Sequence, residues 1–71
     1  MPLAEVMQGL RARLREIRAG RGLRGRLAAM GLVPGCEVEV LRNTGHGPFI
    51  VAVRETRLVL GRGMAMKIEV D

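Results

Sequence analysis

Leu27-Ala28-Ala29-Met30-Gly31-Leu32-Val33-Pro34-Gly35-Cys36-Glu37-Val38-Glu39-Val40 constrains this chain more than any other stretch, because a helix end, a stop and a strand start share it. From Arg24 to Met30 there is no β-branched residue and good helix formers predominate. Gly31 stands where a helix closes through a left-handed residue, a conformation glycine adopts at little cost. Pro34-Gly35 then makes a turn, since proline presets φ and glycine accepts a positive one. From Cys36 the pattern alternates, with Cys36, Val38 and Val40 on one face and Glu37 and Glu39 on the other.

Around this hinge the chain has 71 residues, room for a single domain spanning residues 1–71 with one small core. Apolar residues make up 48%, too many for disorder, yet Phe49 is the one aromatic, so the core must be aliphatic. A single cysteine forms no internal disulfide, which fits a reducing compartment. No apolar run approaches the roughly 20 residues that span a bilayer. Arg11 and Arg13 interrupt the N-terminal region before a signal-peptide pattern forms. These features point to a cytoplasmic protein that does not insert into the membrane.

The formal net charge is +5, and Arg11, Arg13, Arg15, Arg18, Arg21, Arg24 and Arg26 all precede the hinge. Such a basic third attracts nucleic acid, anionic lipid or an acidic protein face. A merely solvated arginine-rich surface gives the same composition.

Pro2–Gln8 reads as a lead-in. Met7, Leu10, Leu14 and Ile17 recur at helical spacing, while Leu10, Ala12 and Leu14 alternate with Arg11, Arg13 and Arg15 as in a strand. Strand is the better reading, because a barrel needs this segment to close its edge. A loop at Arg18–Gly22 leads to a helix from about Leu23 to Met30. Strands are expected at Cys36–Leu41 and Phe49–Arg54, joined by the turn-rich Asn43–Pro48. Glu55-Thr56 turns into Arg57–Leu60, Met64–Met66 makes a helical turn, and Lys67–Val70 closes the sheet. The fold class is mainly β: a small barrel of five to six short strands, with one short helix after the first strand.

At Leu23–Gly35, followed by Glu37-Val38-Glu39-Val40-Leu41, the chain resembles the FeoA family, small cytoplasmic accessory proteins of ferrous iron uptake. Pro48, the Val51/Val53 alternation, Leu58-Val59-Leu60, Ala65 and Lys67-Ile68-Glu69-Val70 extend the resemblance from about Pro2 to Val70. It implies an SH3-like barrel, similar to the C-terminal domain of iron-dependent repressors. It also implies a partner, the FeoB-type membrane transporter of ferrous iron, whose cytoplasmic part binds GTP. Glu55-Thr56 departs from a common glycine-aromatic pair, and Gly61 from a usual arginine; both lie in turns.

Few residues suggest chemistry. Gly20-Arg21-Gly22-Leu23-Arg24-Gly25 matches G-x-G-x-x-G, but a dinucleotide site needs a parallel βαβ unit that this chain is too short to build. Cys36 and His46 are the strongest soft ligands, and no spaced set of four accompanies them. Met64-x-Met66 reads better as core filler than as a copper site. No nucleophile–base arrangement can be assembled, so neither catalysis, a cofactor nor a resident metal is expected. An arginine among Arg21, Arg24 and Arg26 acting in trans on a GTPase is a sharper alternative.

The expected partner surface combines Leu32 and Val33 of the hinge with the apolar outer face Ile50 and Ala52, flanked by Arg21 and Arg24. Core filling or self-association would use the same apolar residues. Two competing classes are a nucleic-acid-binding barrel, which the lone Phe49 serves poorly as a stacking platform, and a metal-responsive regulatory domain.

Overall fold

The computed structural model describes residues Met1–Asp71. The strands are β1 (Arg11–Ile17), β2 (Glu37–Arg42), β3 (Phe49–Val53), β4 (Thr56–Leu60) and β5 (Ile68–Val70); the helices are α1 (Arg21–Ala29) and α2 (Arg62–Lys67). One antiparallel sheet holds all five strands in the order β4-β3-β2-β1-β5. This is the mainly β, SH3-like architecture expected, with α1 following the first strand. The two edge strands, β4 and β5, are joined through α2.

The ambiguity at Leu10–Ile17 resolves as strand for a physical reason. The register of β1 against β5 shifts between Leu14 and Glu16, leaving Arg15 and Glu16 exposed in succession and Ile17 turned back inward. A bulge of this kind places residues three apart on one face, which imitates a helical period. β1 lies inside the sheet, between β2 and β5, and does not form its edge.

Helix α1 starts at Arg21, two residues before the expected Leu23, from an extended Gly20 without a side-chain cap. It ends as the hinge requires. Gly31 N–H donates to Ala28 O (2.9 Å), Leu32 N–H donates to Leu27 O (2.9 Å), and Gly31 has φ +95°. This pair of bonds is the Schellman closure, which draws the residue after the glycine onto the last turn of the helix. Leu32 is therefore 0% exposed and joins Leu27 in the core. The expectation that Leu32 faces outward is corrected: helix closure turns it inward. Gly35 N–H donates to Leu14 O (2.7 Å), pinning the far side of the hinge to β1.

Eighteen residues are buried, all of them hydrophobic, in one cluster. β2 and β3 contribute through strict alternation: Val38 and Val40, then Phe49, Val51 and Val53. The N-terminal stretch is more than a lead-in. Leu3–Glu5 forms a 3-10 turn that buries Leu3 and Ala4, and Val6 follows them inward. The turn is held by Asn43, whose Nδ2 donates to Ala4 O (3.0 Å) and Val6 O (2.8 Å). α2 is longer than the expected Met64–Met66 turn; it buries Ala65 and packs on the N-terminal turn. The β3–β4 turn is Arg54-Glu55, one residue earlier than expected, because Val53 pairs with Thr56.

Candidate functional site

A cleft of about 410 Å3 lies between α1, the end of β1 and the hinge. Its position follows from the helical period of α1. Leu23 and Leu27, four apart, point toward the core, Leu27 buried and Leu23 half-buried. Arg21, Arg24, Gly25 and Ala28 share another face and line the cleft. Glu16 and Ile17 supply the opposite wall, Val33 and Pro34 close it from the hinge, and Leu32 forms its floor. The volume falls within the range of ligand clefts, roughly 300–1,000 Å3.

Small residues keep this space open. A Cβ placed on Gly25 meets no atom within 4 Å. Glycine inside a helix costs about 1 kcal/mol relative to alanine, and no packing requirement in this chain accounts for it there. The rim is basic. No ion pair involves a residue of the helix: the pairs are Arg11 with Glu37 (3.5 Å) and Glu39 (3.9 Å), Arg18 with Glu16 (3.3 Å), and the amino terminus with Glu69 (3.7 Å). Arg21, Arg24 and Arg26 are exposed and have no carboxylate partner.

Of the six expected surface residues, the structure gathers Arg21, Arg24, Leu32 and Val33 around this cleft. Val33 is exposed, whereas Leu32 contributes only as buried floor. Ile50 and Ala52 are half-buried on β3 and do not line it. Ala52 borders a second depression, beside Cys36 and the Arg11–Glu37–Glu39 group, and Ile50 lies opposite the exposed Val59 on β4. The expected patch is thus two surfaces, because the hinge and the outer face of β3 are separate parts of the fold. Sequence reasoning missed Gly25 and Ala28, although their spacing from Arg21 (four and seven residues) carries the signal.

No three His, Cys, Asp or Glu side chains come together as a metal-binding group. Cys36 is half-buried and packs on the core, and His46 is exposed in the β2–β3 loop. Met64 packs on the core and Met66 is exposed. The Gly20–Gly25 motif opens α1, but the strands on either side, β1 and β2, pair antiparallel, so no βαβ cradle exists there. No helix is long and apolar enough to cross a membrane.

The sequence matches the FeoA domain over residues 1–71. The chain belongs to the FeoA family. It is 39% identical over 70 residues to a protein assigned as Fe(2+) transport protein A in Methanocaldococcus jannaschii, covering 99% of this chain and 84% of that one. Among solved structures, the FeoA fold recurs in an iron uptake regulatory protein at 34% identity and TM-score 0.89, covering 99% of this chain and 93% of the other. It recurs too in the FeoA of Stenotrophomonas maltophilia, at 29% identity and TM-score 0.87 over 100% of this chain and 89% of that one. That protein is described as a prokaryotic SH3 domain protein and was solved in complex with zinc. A likeness of fold alone extends to the IdeR of T. acidophilum, at 21% identity and TM-score 0.82 over 99% of this chain and 32% of that one.

Proposed function

We propose that this FeoA-family chain is a non-enzymatic accessory protein of ferrous iron uptake, working in the cytoplasm by binding the GTP-binding part of a FeoB-type transporter. Family membership supports the role in iron uptake. The observation that carries the binding reading is the open cleft beside α1, with an aliphatic floor and unpaired arginines on its rim. Exposed apolar surface rimmed by polar residues is one mark of a protein contact.

Nucleic acid is the weaker reading. Phe49, the one aromatic side chain, is 0% exposed in the core, so no surface ring can stack on a base. The proposal is tested by capture of the purified transporter cytoplasmic domain on immobilised protein, in GDP and in a non-hydrolysable GTP analogue. Retention of the domain in at least one nucleotide state is expected. Absence of retention in both would overturn the proposal.

A further inference from the structure

The proposed binding role leaves open what kind of segment the cleft accepts, and its charge distribution answers this. Arg21 and Arg24 stand on one side without carboxylate partners. Glu16 stands on the other, bridged to Arg18 at 3.3 Å. Between them the exposed Val33 and the edge of Ile17 offer aliphatic contacts above the buried Leu32, and Gly25 leaves the helix backbone uncovered.

We infer that the cleft receives an acidic peptide segment of the partner, seated by one aliphatic side chain and oriented by charge; this rests on the proposed adaptor role. The segment's backbone crosses α1 at Gly25, where the missing side chain permits close approach. Its carboxylates lie over Arg21 and Arg24, which present planar guanidinium forks suited to carboxylate. On the other wall Glu16 is already paired with Arg18, so the reversed orientation offers the segment's carboxylates no unpaired cation. A polynucleotide meets the same arginines, but it also meets Glu16 and finds no ring to stack on.

The test uses the full chain, labelled for NMR, titrated with synthetic peptides. One carries a leucine flanked by glutamates, a second has glutamines in their place, and a third is a single-stranded oligonucleotide control. Shifts at Gly25, Ala28 and Val33 with the glutamate peptide are expected. Affinity should fall about tenfold for the glutamine peptide and for the Arg21→Gln/Arg24→Gln variant, the sum of two exposed ion pairs. Gly25→Leu should abolish binding while leaving thermal stability equal or higher, because leucine is the better helix former. The paired variant Arg42→Gln/Arg57→Gln removes the same two charges at exposed positions outside the cleft lining and should bind as the parent does.

Equal affinity for both peptides, or unimpaired binding by Gly25→Leu, overturns the inference. So does stronger binding of the oligonucleotide at these residues. If the transporter domain is still captured by Gly25→Leu and by the arginine variant, the inference falls and the adaptor role stands. If the glutamate peptide binds as described but the transporter domain is never captured, the adaptor role falls and the cleft's preference stands.

Discussion

Gly31 lies against Val53: a Cβ on Gly31 would sit 3.2 Å from Val53 Cγ1, and the residue has φ +95°. The hinge and the end of β3 are fitted to each other at the residue whose left-handed backbone closes α1. Two penalties coincide there, one conformational and one steric. Gly31→Ala should lower stability by about 1–3 kcal/mol, read as a lower midpoint in urea unfolding with an unchanged slope. A neutral result would mean that the closure of α1 relaxes freely.

Burial of Leu32 beside an exposed Val33 separates folding from binding at adjacent positions. Leu32→Ala should cost about 2–5 kcal/mol, as core truncations do. Val33→Asp should change stability by no more than about 0.5 kcal/mol and still weaken capture of the transporter domain. Thermal unfolding and capture, measured on the same preparations, check both halves.

Asn43 ties three segments together. Its side chain donates to Ala4 O and Val6 O, accepts from Arg62 Nη2, and its backbone N–H donates to Gln8 Oε1 at 2.9 Å. Arg62 also lies over the Phe49 ring, 5.6 Å from its centroid. Asn43→Ala should cost about 2–3 kcal/mol, since the partners of its part-buried bonds lose them together. Hydrogen exchange should accelerate most at the amides of Glu5 and Val6, which bond within the N-terminal turn.

Arg54 is the one non-glycine residue with positive φ, at 57° in the β3–β4 turn. Arg54→Gly should stabilise the chain by about 1 kcal/mol, because glycine meets no steric penalty in that conformation. An unchanged or lower unfolding temperature would show that glycine's greater freedom in the unfolded chain offsets the relief.

What the amino-acid sequence determined by itself is local. Alternation placed the inward residues of β2 and β3, and Gly31 with Pro34-Gly35 marked the end of α1 and the turn, because pleat and φ depend on near neighbours. The resemblance at Leu23–Gly35 led to the FeoA family, which the match over residues 1–71 establishes. Tertiary structure decided the rest. The bulge between Leu14 and Glu16 exists only through pairing with β5, so β1 carried a helical period it does not obey. Leu3, Ala4 and Val6 became core because Asn43 and α2 lie against them. The cleft itself is a space between α1 and the hinge. Residues distant in sequence border it, and only packing brings Gly25, Ile17 and Val33 to one space.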